Sequence, residues 1–205
     1  MQDASSDNLY APPTADVAPA PRATATAAQP FYVVSATKFC VLFFVTFGLY
    51  VLYWFYVHWR RWGRTSNETV WPVPRAVFSI FFAHALARRI DQRLRALGIV
   101  RAWSPALAAT VYVVFQIGST VASRLADRGI GVPITDIVSL LALVPIALSM
   151  LAMQRAANAA CGDPDGAGNR RFTWANWVWI VIFGLIWLLI GAAILLPAFG
   201  VDLPQ

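Results

Sequence analysis

The chain has 205 residues, a formal net charge of +6, 59% hydrophobic residues and only 13% charged ones. That balance argues against two soluble domains and for one membrane domain with a tail. The sixteen basic residues, one lysine and the rest arginine, are scattered around apolar segments instead of forming a solvated patch. Anionic phospholipid is therefore the expected partner, and nucleic acid is not.

Residues 1–30 hold five prolines and much Ala, Thr and Ser, with almost no aliphatic bulk. Such a stretch cannot bury enough apolar area to offset its ordering entropy, so residues 1–34 are expected to form a disordered tail. It lacks the basic start and apolar core of a signal peptide.

Phe39 to Trp59 is an uncharged run of 21 residues. At about 1.5 Å per residue it just crosses a hydrocarbon core of about 30 Å, which predicts a first span over residues 38–59. Lys38 bounds it on one side and Arg60, Arg61 and Arg64 on the other, and Tyr50, Tyr53, Trp54, Tyr56, Trp59 and Trp62 crowd its second half as an interfacial belt would. Within it, Thr46, Gly48 and Tyr50, followed by Tyr53-Trp54 and Tyr56, form a T-x-G-x-Y-x-x-Y-W pattern. This pattern resembles the first helix of a group of small bacterial multi-pass inner-membrane proteins of unknown function. The resemblance is looser at Trp71 to Phe82 and Arg171 to Trp179. It implies a bacterial inner-membrane location and carries no activity with it. Physically, Gly48 would permit close helix approach, Thr46 could bond its own backbone, and Tyr50, Trp54 and His58 share one helical face.

After a polar loop, residues 75–97 read as an amphipathic helix. Ala76 to Ala87 is too short to span, and Phe78, Phe82, Leu86, Ile90, Leu94 and Leu97 form a stripe of helical period. Arg88, Arg89, Arg93 and Arg95 occupy other faces and, with Arg60 and Arg61, are the expected lipid-headgroup contacts. The helix is expected to start dipped in the bilayer and emerge along its cytoplasmic surface. A helix packed on the cytoplasmic end of the bundle is the overlapping alternative.

Three more spans follow. Ser104-Pro105 supplies an N-cap and first-turn proline for a span over 104–123. Thr135-Asp136 starts a third over 134–156, which Pro145 should kink. Thr173 caps a fourth over 174–199, long enough to tilt or to end near Pro197. The expected architecture is thus an all-α integral membrane protein, a four-helix transmembrane bundle with an amphipathic helix on its cytoplasmic face. Four spans place twelve basic residues on one side and four on the other, which puts the Arg-rich loops in the cytoplasm and both termini outside. Cys40 and Cys161 should then lie at opposite ends of the bundle, about 30 Å apart.

No charged residue falls in the middle of a span, because Lys38, Arg124, Asp136 and Arg155 all sit at span ends. The deepest polar groups are Gln116, Ser119 and Thr120 on the second span and Asn176 near the start of the fourth, and interhelical hydrogen bonding is their expected use. Asp163-Pro-Asp165-Gly departs from a calcium loop at its fifth and twelfth positions, where Ala167 and Trp174 stand. His58 has no second histidine, cysteine or carboxylate at helical spacing, so an aromatic belt is the better reading than a metal or catalytic cluster. No catalytic residue, metal site or cofactor is expected. The expected function is a non-enzymatic membrane protein of structural or interaction type that organises or senses anionic lipid, with other membrane proteins or a second copy as further partners. The alternative is a small oligomeric transporter or channel using the Gln116 face.

Overall fold

The computed structural model describes residues 29–66 and 68–195, with side chains as far as residue 192. All regular structure among them is helical: α1 (Ala36–Val45), α2 (Tyr50–Thr65), α3 (Pro72–Val77), α4 (Ser79–Ala96), α5 (Pro105–Ala126), α6 (Ile134–Leu141), α7 (Leu143–Ala160) and α8 (Trp174–Leu195).

Three segments are long and apolar enough to cross a membrane: Pro105–Ala126, Ile134–Ala160 and Trp174–Ala192. Their starts follow local chemistry. Ser104 Oγ accepts the Leu107 N–H at 3.2 Å, and Pro105 occupies a position whose N–H would have no partner. Pro145 cannot donate to the Leu141 carbonyl and its ring crowds that group, and α6 ends at Leu141. Thr135 lies inside α6, whose N-cap is Pro133, so only Asp136 keeps its expected place in the first turn.

The first apolar run does not make a fourth span, and the expectation of one over residues 38–59 is corrected here. Its helix breaks at residues 46–49, where Phe47 (φ 51°) and Gly48 (φ 81°) are both left-handed. The Gly48 N–H reaches back to the Phe43 carbonyl at 2.8 Å, closing α1 with a helix-terminating turn. Thr46 Oγ1 donates to the Leu42 carbonyl at 2.7 Å and accepts the Tyr50 N–H at 3.0 Å, so one hydroxyl caps both helices. A left-handed phenylalanine costs on the order of 1–2 kcal/mol. Its ring is stacked on Trp187 at 4.1 Å, which offsets part of that. The chain then doubles back. Phe39 packs on Tyr50 with ring centroids 5.8 Å apart, and Phe31 stacks on Trp62 at 5.5 Å. Both ends of the segment therefore lie at one end of the molecule, whereas a crossing would separate them by about 30 Å. Gly48 serves a turn, although its Cα also lies close to α7, where an added Cβ would sit 3.1 Å from Leu143 Cδ2.

The tail needs a matching correction. Residues 1–28 lie outside the described residues, as do residues 196–199 of the fourth predicted span. Residues 31–34 are buried, with Phe31 and Val34 fully so. They form an extended strap across the basic end. Cys161 Sγ lies 3.6 Å from the Phe31 carbonyl, and Cys40 stands two residues after Lys38, whose ammonium bonds Asn169 and the Arg171 carbonyl. The two cysteines thus sit toward the same end, not at opposite ones, and both are free.

Residues 75–97 are also two helices, divided at Phe78. The predicted stripe serves the protein core: Leu86, Ile90 and Leu94 are buried where α4 packs on α5 and α7. Its ends differ, since Phe78 and Leu97 are exposed. Around the α3–α4 junction Trp71, Val73, Val77, Phe78 and Phe81 all face outward, Phe81 with 73% of its surface free. Past Ala87 the outward residues are instead Arg88, Gln92, Arg93 and Arg95. α8 is the extreme case, because no residue of its apolar window is buried.

Candidate functional site

The most polar part of the interior is the seat of the strap. An extended segment carries backbone groups that need partners, and no strand is available to supply them. Side-chain amides do so instead. Asn158 accepts the Val34 N–H at 3.3 Å and donates to the Val34 carbonyl at 2.9 Å, the two bonds a neighbouring strand would make. Gln154 Nε2 donates to the Tyr32 carbonyl at 2.8 Å and to Asn158 Oδ1 at 2.6 Å. Asn169 Nδ2 donates to the Val33 carbonyl at 2.9 Å and to Tyr32 Oη at 3.1 Å. Gly166, at φ 67°, lets the 163–169 loop close over this seat, since a Cβ there would lie 2.4 Å from the Val34 carbonyl oxygen.

α2 completes the seat. The Trp54 indole donates to Gln154 Oε1, and His58 Nε2 lies 3.3 Å from the same oxygen. The expected aromatic belt at His58 is corrected here. Trp54, His58 and Trp59 are buried in the core, and the His58 ring packs 4.0 Å from that of Trp54. His58 Nδ1 and Trp59 Nε1 are buried without a partner.

Beside the strap a pocket of about 380 Å³ opens, lined by Tyr32, Lys38, Tyr53, Arg61, Asn169 and Asn176 among others. Lys38 is only 2% exposed, and its ammonium donates to Asn169 Oδ1 and to the Arg171 carbonyl, both at 2.8 Å. Arg61 donates to Gln29 Oε1 at 3.2 Å and to the Phe31 carbonyl at 3.1 Å, with its guanidinium 5.5 Å from the Tyr32 ring centroid. All these partners are neutral. Among the described residues the two ion pairs are Arg89–Glu68 and Arg95–Asp91, and both lie elsewhere. In the 163–169 loop, Asp163 accepts the Ala167 and Gly168 N–H groups at 2.9 and 2.8 Å.

The residues singled out from sequence fall into separate groups. Arg88, Arg93 and Arg95 are exposed on α4, Arg95 with Asp91 at 2.8 Å. Arg89 is held inside a stack, bonded to Glu68 with its guanidinium 5.0 Å from the Trp62 ring centroid. The hydrogen bond from Arg89 holds the Glu68 carboxyl below its usual range. Arg60 lies over Tyr56, and Arg61 belongs to the pocket. Of the expected interhelical polar groups, Ser119 does reach another helix, donating to the Ser139 carbonyl at 3.2 Å. Thr120 bonds the Gln116 carbonyl of its own helix. Asn176 accepts from the Thr173 N–H and hydroxyl, both at 3.0 Å, which caps α8 locally. Gln116, Ser119 and Thr120 line a second pocket of about 390 Å³, shared with Tyr112, Ser79 and the 47–49 turn.

Sequence reasoning missed Gln154, Asn158, Asn169 and Lys38. The available signal was three amides and one lysine near apolar segments, where unpaired polar groups are costly. No family model, no curated protein and no solved structure matches the chain.

Proposed function

We propose that the chain is a non-enzymatic, multi-pass protein of a bacterial inner membrane whose basic end faces the cytoplasm and associates with anionic lipid. The carrying observation is an asymmetry. With α5, α6–α7 and α8 as the crossings, Arg124 and Arg128 stand alone at one end. Arg60, Arg61, Arg64, Arg88, Arg93 and Arg171, with others, belong to the strap end. Basic residues accumulate in short cytoplasmic loops, and each one near an anionic surface contributes about 1 kcal/mol. The outward apolar residues of the α3–α4 junction and the arginines of α4 together suit a segment that enters the bilayer and emerges along its surface. Three crossings in place of four move the N-terminal side alone: the strap and the chain before it become cytoplasmic, while the Arg-rich loops stay cytoplasmic and the end of α8 stays outside.

Two fusions and one label test this. Alkaline phosphatase fused after Gly131 is expected to be active, and fused after Gly166 inactive. In a C40A/C161A background, Ser6→Cys should resist a membrane-impermeant thiol reagent in intact cells and react after lysis. Labelling of Ser6→Cys in intact cells would restore the crossing by residues 38–59, and an active fusion after Gly166 would sink the orientation. The second reading, a small-solute pathway, draws on the pocket at Gln116. Proteoliposome uptake of a small polar solute that Gln116→Leu abolishes would favour it.

A further inference from the structure

The Lys38–Arg61 pocket is not isolated. It shares Tyr53, Thr173 and Asn176 with an apolar groove between the α1–α2 hairpin and α8, lined further by Leu42, Leu52, Trp179 and Phe183. One end of the combined cleft is cationic and polar, and the other is apolar. From Thr173 to Phe183, α8 rises ten residues, about 15 Å at 1.5 Å per residue, or half of a hydrocarbon core. The groove thus has the depth of one leaflet, with the cations at its wet end.

The charge balance at that end is unusual. Lys38 carries three N–H donors, two of them directed to neutral oxygens. Arg61 likewise bonds a neutral amide and a carbonyl. Among the described residues neither cation has a carboxylate partner. For Lys38, which is buried, a charge without a counter-charge is costly, and the half-buried Arg61 beside it adds to that cost. Phosphate oxygens suit both groups, since charge-assisted bonds to guanidinium and ammonium are about twice as strong as neutral ones. Tyr32, Tyr53 and Asn176 supply neutral polar groups around the same space.

We propose that Lys38 and Arg61 bind the headgroup phosphate of a single anionic phospholipid whose acyl chain lies in the groove between the α1–α2 hairpin and α8. This deepens the anionic-lipid reading above and rests on it for the membrane. It differs by naming one stoichiometric site, apart from the exposed arginines of α4. The occupant is a lipid and not a soluble phosphate because the cationic pocket runs into an apolar groove of leaflet depth.

The test uses the full-length protein in neutral detergent, with lipid retention read by native mass spectrometry. Phosphatidylglycerol is expected to be retained at one per chain and phosphatidylcholine about tenfold less, because the choline ammonium offsets the phosphate charge and would sit beside the two cations. Glycerol phosphate at the same concentration should not displace the lipid. Lys38→Gln and Arg61→Gln should each lower retention about tenfold. Because Lys38 also anchors the 169–171 loop, Ala175→Trp is the second variant: it fills the groove, leaves both cations, and should lower retention similarly. R88Q/R93Q/R95Q should leave the single retained lipid in place while weakening the response of reconstituted protein to bulk anionic lipid. Equal retention of phosphatidylcholine, displacement by glycerol phosphate, or full retention by Ala175→Trp would each overturn the site. Loss of the bulk response with the site intact, or the converse, tells the failure of one reading from that of the other.

Discussion

Residues 38–59 and 174–195 are both long stretches almost without charge, yet the first folds back on itself and the second stays one helix. Glycine alone does not explain this, because α8 contains Gly184 and Gly191 without a break. What separates them is the group beside the glycine. Thr46 sits two residues before Gly48 and caps the helices on both sides, whereas Ile182 and Leu189 hold the equivalent places in α8 and offer no hydrogen bond. The two segments also end differently. The hairpin is tied down by the strap and its amide seat, while α8 has open space around both glycines. Length and apolarity make a segment eligible to cross, and polar groups within it decide whether it does.

The largest test erases the turn. T46L/F47L/G48L should let residues 36–65 run as one helix, and Ser6→Cys should then become reactive from outside intact cells. If the tail stays protected, the turn is a consequence of the fold-back and not its cause. Removing the seat comes next. Asn158→Leu leaves the Val34 N–H and carbonyl without their partner, at about 1–3 kcal/mol per orphaned group. Thermal unfolding in detergent should fall accordingly, and an unchanged midpoint would mean that water substitutes for the amide.

These contrasts separate what the sequence shows from what it hides. The second, third and fourth spans are readable because each signal is local: an uncharged run, a Ser-Pro start, a proline one turn past a helix end. The basic end is readable for the same reason. The fold-back is not, since a threonine and a glycine in an apolar run serve equally well as a helix-packing face. The strap is still less visible, because its partners Asn158 and Asn169 lie more than a hundred residues away. Alanines at 156, 157, 159 and 160 mark α7 as a close-packing helix, but they do not say what packs there. For the pocket, sequence alone gives Arg61 a bulk headgroup role and makes Lys38 only a boundary. Their meeting depends on the hairpin.

A smaller effect is expected for one cap. Thr46→Val keeps the shape and removes the hydroxyl, which should cost about 1 kcal/mol. Gly184→Leu in α8, where an added Cβ meets nothing within 4 Å, should shift stability by no more than about 0.5 kcal/mol. A Gly184→Leu loss as large as that of Thr46→Val would show that α8 is covered by protein. The smallest effect is electrostatic. Glu68 has its pKa lowered in the fold by the hydrogen bond from Arg89, so its contribution is present above the ordinary carboxylate pKa. That contribution is lost as pH falls through the lowered value. Glu68→Gln should lower stability slightly at neutral pH and leave it unchanged at acid pH, which flattens this limb of the profile; the drop is small because the pair is exposed.

The strap also imposes an order of assembly. Val34 emerges from the ribosome 124 residues before the Asn158 that receives it, and at 5–20 residues per second that interval is about 6–25 s. Throughout it, the first hairpin must wait with its extended segment unmatched while α5 and α6 are inserted. A chain stopped after α5 would therefore present an N-terminal segment sensitive to protease, and the full chain a protected one. The last loop to be made before α8 is the clasp that closes the first segment.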